Sequence, residues 1–445
     1  MNYTSRIAII GSITAIAAAL ARNNGDYDNL GLILLAVAIG CAATAVFHVR
    51  IAAIEDRGNQ FVGWALAAAV VIEGLLFAIQ PIFSATMPRW IPVGMALLVC
   101  SLSLLAISGR LTALKTATWL LAGSVLVFGV VTVLTHSRFV VDVRLFQQVA
   151  SQALLQGDDP YVVRFPNIYS KPYYGAENVT ADGFLKAGFL YPPLVAILGI
   201  PGVLLGDVRF SHVLAMTVTA LALGLAGRNR LAVGAVALFA LMPRNIYLLA
   251  GAWTEPLSMM LIGLTVFAAV RRAPASTGIT TGLLLASKQY FIVITPLLWL
   301  LGADRRSRLR IGLTALLAAM VVTLPFASRH PMEFVNSAIL FPLRHPFRAD
   351  SLSFLAALAQ NTGTTPPRMV GLLVIIVLGI ISLTLAARLP AIPSSFALGV
   401  GSVTLLLFAF SQQAFLNYYA LVHAAMCAAA ATSSIQGENG TAVSS

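Results

Sequence analysis

The chain alternates long apolar runs with short polar breaks. Apolar runs fall at 6–21, 30–49, 61–83, 91–107, 117–134, 191–205, 211–226, 231–250, 257–270, 279–301, 311–326, 370–386, 396–412 and 418–433. A helix needs about 20 apolar residues to cross a bilayer, with about 17 tolerable. The pattern predicts an all-α polytopic membrane protein of about 12–14 transmembrane segments. Two polar stretches are long, 135–190 and 327–369, and the tail 434–445 is polar and expected to be disordered.

Composition sharpens this picture. The 445 residues are 59% hydrophobic and 10% charged, whereas a soluble domain carries about a quarter charged residues. Only helices or closed barrels span lipid. Barrel strands would show short alternating segments, and these runs are long and unbroken. The first run, preceded only by Arg6 and lacking a small-residue cleavage signature, is expected to be a retained span. Cys41, Cys100 and Cys427 are far apart and match neither a metal spacing nor a disulfide framework.

The net charge of +12 would suit nucleic acid, but its distribution does not. The arginines occupy short loops between apolar runs, as cytoplasmic loops do. Arg50 with Arg57, Arg110 with Lys115, Arg228 with Arg230, Arg271 with Arg272, and Arg305, Arg306, Arg308 and Arg310 mark inner loops, with Arg388 a weaker marker. Both termini are then cytoplasmic, and 135–190 and 327–369 form two large extracytoplasmic loops. This holds only if two runs fail to cross. Run 191–205 is short and interrupted by Pro192, Pro193 and Pro201, which suits a juxtamembrane or re-entrant element. Run 279–301 has arginines on both flanks, which suits a helix–break–helix hairpin near Ser287-Lys288-Gln289. The expected setting is the plasma membrane, with the work on its outer face.

Chemistry-bearing residues concentrate in those outer loops. Asp142 follows an apolar span and precedes the helical pattern 143–155, so it suits either a reaction centre or a helix cap. Asp158 and Asp159 precede Pro160-Tyr161 and suit a turn after Gly157 that ends the helix. Ala252-Trp-Thr-Glu-Pro256 places Glu255 between two apolar runs, with Arg244 in Met242-Pro-Arg-Asn245 close by. Lys288 lies inside an apolar run, where charge is expensive and usually functional. Gln289 and Tyr290 are its weaker companions. Arg344-His-Pro-Phe-Arg348 with Asp350 gathers phosphate-compatible groups. Glu73, buried in the third run, must stay protonated or find a partner in the bundle; His423 suits a packed helix histidine.

Asp142, Ala153-Leu-Leu-Gln-Gly-Asp-Asp-Pro-Tyr161 and Tyr191-Pro-Pro-Leu194 together resemble the first outer loop of polyprenol-phosphate-sugar-dependent glycosyltransferases of the GT-C type. The group most resembled is glycosyltransferase family 87, the α-mannosyltransferase-like proteins. Arg348-Ala-Asp-Ser-Leu-Ser353 and Gln413-Ala-Phe-Leu-Asn-Tyr-Tyr419 resemble later patches of such proteins. The resemblance covers roughly 117–430, a GT-C-like core within 117–433, and makes 1–116 an added N-terminal bundle. It implies transfer of a hexose, mannose by family, from a polyprenyl-phosphate donor to a glycan or glycolipid, with inversion.

Asp142 is then the base. Lys288, Arg348, His345 and Arg244 hold the donor phosphate, and Glu255, Tyr161 and Tyr191 contact substrate. No cofactor is implied beyond the lipid-linked donor. The single loop acid offers no pair for a divalent metal, so no metal site is assigned. The expected partners are membrane lipids, the donor and the acceptor, with no nucleic acid and, without a glycine-rich phosphate loop, no nucleotide. Two other classes fit the same pattern: a transporter or flippase for lipid-linked sugars, and a noncatalytic membrane subunit of the same fold.

Overall fold

The computed structural model describes residues 1–49, 58–81, 86–169 and 173–434. Arg50 and Arg57, and the tail beyond Ser434, lie outside the described residues. The described chain is all-α, with nineteen α-helices and no sheet, only isolated bridges. Eight helices are long and apolar enough to cross a membrane, which marks an integral membrane protein.

In chain order the helices are α1 (Tyr3–Arg22), α2 (Asn29–His48), α3 (Gly58–Ala78), α4 (Trp90–Ile107), α5 (Leu114–Thr135), α6 (Asp142–Gln156), α7 (Pro193–Leu204) and α8 (Arg209–Gly227). Then follow α9 (Arg230–Ala240), α10 (Asn245–Ala250), α11 (Glu255–Val270), α12 (Pro274–Leu285) and α13 (Arg305–Arg329). The second long loop holds α14 (Pro331–Val335), α15 (Phe341–Arg344) and α16 (Phe354–Thr362). The chain closes with α17 (Arg368–Arg388), α18 (Pro393–Ala409) and α19 (Leu416–Thr432). The apolar run 231–250 is not one helix: Pro243, which lacks an N–H, falls in the break between α9 and α10.

Local chemistry sets many boundaries. Asn2, Asp28, Asn229 and Asp304 cap helix starts by accepting from backbone N–H groups three residues on. Gly157, at φ 85°, ends α6, with Asp158 N donating to Ala153 O at 2.9 Å.

The helices join two unlike ends. At one, Met1 and Arg6 donate to Ser433 O, and Asn229 donates to Ser434 Oγ at 2.6 Å. This is the arginine-rich end. At the other, Asn24 O accepts from Leu416 N, Gly25 O accepts from Leu352 N, and Thr86 Oγ1 donates to Thr135 O. This is the loop-rich end. The first four helices do not stand apart: one continuous apolar core runs from α1 to α19.

The α5 exit and the α8 entry share the loop-rich end, because Arg209 donates to His136 O at 2.9 Å. The two helices run antiparallel, with Gly129 against Val213 and Gly224 against Thr118. Everything between them therefore stays at that end. α7, about 18 Å long, packs along α6, with Ser151 Oγ donating to Ala196 O at 2.8 Å. Asp207, just beyond it, pairs with Arg144 near the start of α6 and with Arg209. Run 191–205 thus does not cross.

Run 279–301 is broken as its flanking charge requires. α12 ends at Leu285, Lys288 is extended (φ −149°, ψ 139°), and a 3-10 helix occupies Gln289–Leu301. α12 and α13 run parallel, with Gly278 against Thr314 and Gly282 against Ala315. The 3-10 helix must therefore return to the arginine-rich end where α13 begins. A 3-10 run of this length is uncommon, and Pro296 within it supplies no backbone donor.

Glu73 on α3 is fully buried and meets His423 Nε2 on α19 at 3.2 Å. The intramembrane acid is paired, and the histidine is a packed one.

Candidate functional site

The loop-rich end has its own small core. Phe146, Phe165, Phe189 and Leu185 from the first long loop pack with Leu257 of α11 and Phe341 of the second. This apolar cluster fixes α6 beside the bundle. α6 buries Val143, Phe146, Ala150 and Ala153 along one face, so its first residue, Asp142, is held inward.

Asp142 is only 8% exposed. Its Oδ1 accepts from Val143 N at 2.8 Å and from the Tyr169 hydroxyl at 2.9 Å. Its Oδ2 accepts from the Tyr174 hydroxyl. Both phenol pKa values are pushed up, by burial first and then by the Asp142 charge. The tyrosines therefore stay protonated donors. A carboxylate offers about four lone-pair sites, and these bonds use three, leaving one on Oδ2. The positive pole of α6 further favours the anion there.

The second long loop meets this cluster. The His345 ring stands edge-on to Tyr173 and Tyr174, at centroid distances of 5.4 and 5.7 Å. Burial, joined by the Arg348 charge, pushes the His345 pKa down, so its imidazole is neutral at pH 7. The Arg348 guanidinium lies 4.8 Å from both the Tyr173 and Phe415 ring centres. It also grips Asp350 with two bonds, at 2.8 and 2.6 Å, so part of its fork is already engaged.

A second charged group lies across the cluster. Glu255 opens α11, is fully buried, and pairs with Lys288 at 2.8 Å. Its Oε2 is buried and has no hydrogen-bond partner among the described residues, an open acceptor for a hydroxyl. The broken helix places Lys288 Nζ 5.2 Å from the Tyr191 ring centre and 5.8 Å from that of Tyr290. Tyr191 joins the two halves: burial, then Asp142, and also Glu255, raise its hydroxyl pKa. Asp142, Glu255, Lys288, Tyr191, His345 and Arg348 are thus gathered into one neighbourhood.

Two other candidates are engaged by the fold. Arg244 donates to Leu20 O at 3.1 Å and Ala21 O at 3.3 Å, satisfying the last carbonyls of α1. Tyr161 is 1% exposed, and its hydroxyl donates to Tyr191 O at 2.7 Å while its ring packs on Phe334. It shapes the chain at Tyr191 from behind. Asp159 accepts from Tyr161 N at 3.0 Å and pairs with His330 at 2.8 Å, tying the two long loops together. Asp158 is exposed.

Sequence reasoning missed Tyr169, Tyr173 and Tyr174. The available signal was three tyrosines within Ile168-Tyr-Ser-Lys-Pro-Tyr-Tyr174. Among the described residues, no group of three or more His, Cys, Asp or Glu side chains could hold a metal ion. Comparison with known proteins finds no family model, no curated protein and no solved structure that matches the chain.

Proposed function

We propose that the chain is a membrane glycosyltransferase of the GT-C type. It transfers a hexose, mannose by resemblance, from a polyprenyl-phosphate donor to a glycan or glycolipid. The short loops at the arginine-rich end carry Arg110, Arg228, Arg230, Arg271, Arg272, Arg305, Arg306, Arg308 and Arg310, which under the positive-inside rule supports an extracytoplasmic loop-rich end. The observation that carries the reading is Asp142: a buried carboxylate oriented by two tyrosine hydroxyls and a backbone N–H, with one lone pair left over.

The acceptor hydroxyl attacks the anomeric carbon as the bond from that carbon to the phosphate oxygen breaks. The electron pair leaves with the polyprenyl phosphate, and the hydroxyl proton passes to Asp142 Oδ2. The hydroxyl becomes acidic as it bonds to the sugar, so a positioned carboxylate suffices to take its proton. Negative charge develops on the departing phosphate. Lys288 and Arg348 are the cations at hand, Arg348 with Nη1 unpartnered among the described residues and Lys288 with donors beyond its bond to Glu255. Neutral His345 gives its one N–H from Nδ1 to Pro346 O at 3.2 Å, which leaves Nε2 as an acceptor for a sugar hydroxyl. Glu255 Oε2 and Tyr191 are placed to orient sugar hydroxyls.

The test is transfer in proteoliposomes from a radiolabelled polyprenyl-phosphate mannose to a membrane glycan acceptor. Wild-type protein transfers label; Asp142→Asn loses about 100-fold or more, the scale of a lost general base. Movement of donor across the bilayer without transfer, untouched by the substitution, would make the protein a transporter.

A further inference from the structure

The arginine-rich end carries a cavity of about 1410 Å³, larger than the roughly 300–1,000 Å³ of ordinary ligand pockets. None of the Asp142 neighbourhood lines it. α3 and α4 touch where Gly74 faces Cys100, then part toward the arginine-rich end. The cavity opens there, between Gly63, Trp64 and Ala67 on one side and Ser101, Leu104 and Leu105 on the other, with Leu231 of α9 behind. Trp64 and Leu105 are 68% and 42% exposed, so this flank faces the lipid side.

Its polar rim has one sign. Arg6, Arg110, Arg228 and Arg230 line it, and no described carboxylate does. Arg110, Arg228 and Arg230 make no hydrogen bond or ion pair through their side chains among the described residues. Two backbone features hold the rim. Gly109, at φ +81°, lets the Arg230 guanidinium lie on the chain, where a Cβ would stand 2.6 Å from Nη2. Arg228 occupies the left-handed position that ends α8, at φ 53°, where glycine is usual. The strained arginine is kept where its side chain reaches the rim.

From the cationic rim above an apolar, laterally open cavity, we infer that this end binds a net-anionic phospholipid. The phosphate sits among Arg110, Arg228 and Arg230, and an acyl chain lies between α3 and α4. Arginine forks suit phosphate oxygens, and the tail has an apolar wall that a free anion would not use. The site is independent of the sugar-transfer reading.

The experiment is native mass spectrometry of the full chain released from micelles holding dioleoyl phosphatidylglycerol or dioleoyl phosphatidylcholine, with inorganic phosphate as competitor. Phosphatidylglycerol is retained and phosphatidylcholine is not. Retention falls roughly fivefold for each of Arg110, Arg228 and Arg230 changed to Gln. Gly63→Phe also abolishes it without altering charge, because space stands open around that Cβ position and the ring would fill the cavity. Equal retention of the two lipids, or retention unchanged in the three arginine variants and in Gly63→Phe, overturns the inference. Displacement by millimolar inorganic phosphate overturns the lipid assignment in favour of a free-anion site.

Discussion

The two ends of this helical bundle handle charge in opposite ways. At the loop-rich end almost every charged side chain near the bundle has a partner: Arg144 and Arg209 hold Asp207, Lys288 holds Glu255, Arg348 holds Asp350, and Asp142 takes two tyrosine hydroxyls. At the arginine-rich end Arg110, Arg228 and Arg230 have no partner among the described residues and stand around a cavity. The first pattern fixes side chains in place, as chemistry on a positioned substrate requires. The second leaves cations available, as recognition of a membrane anion requires. Fixed partners still leave donors over: among the described residues Arg348 Nη1 has no hydrogen-bond partner, and Lys288 spends one of its three donors on Glu255.

Breaking the pairs at the loop-rich end separates fixed groups from merely adjacent ones. Lys288→Met leaves Glu255 buried and alone, and lowers stability by about 3–5 kcal/mol. Thermal unfolding in detergent measures this, and adding Glu255→Leu restores most of the loss without restoring transfer. Tyr174→Phe removes a buried hydrogen bond to a charge and lowers stability by about 1.5–3 kcal/mol. Its effect on transfer must appear in turnover rather than donor affinity if the hydroxyl orients Asp142.

His345 tests the comparison through pH. Its folded pKa is depressed by burial and by Arg348 below the ordinary 6.5. The unfolded chain therefore binds the proton first. Stability is full above about pH 6.5 and declines as pH falls below it. His345→Gln flattens that decline in unfolding measured from pH 7 to pH 5. The smallest effect belongs to Asp182→Asn: its pair with Arg164 is exposed on both sides, so the melting temperature does not move.

Much of this arrangement was legible in the sequence. The charge rule applied to short loops predicted both the break at Lys288 and the failure of 191–205 to cross, because arginine placement constrains topology more tightly than apolar length. Gly157-Asp-Asp-Pro marked the end of α6 through turn chemistry alone. Contacts between distant segments were not legible. Arg244 reaches the end of α1, 224 residues away in sequence, and nothing in Met242-Pro-Arg-Asn245 signals that. Tyr161 reads as a pocket aromatic but lies in the small apolar core, since alternation cannot tell which face of an irregular loop turns inward. Tyr169 and Tyr174 sit in a segment without periodicity, so their convergence on Asp142 exists only in three dimensions.

Sugar transfer requires Asp142 to take the acceptor proton. Turnover by Asp142→Asn in proteoliposomes, with the donor KM determined alongside kcat, tests this most directly. The account predicts a donor KM within about twofold of wild type and a kcat lower by about 100-fold or more. A kcat close to wild type, or a loss confined to donor KM, would contradict it.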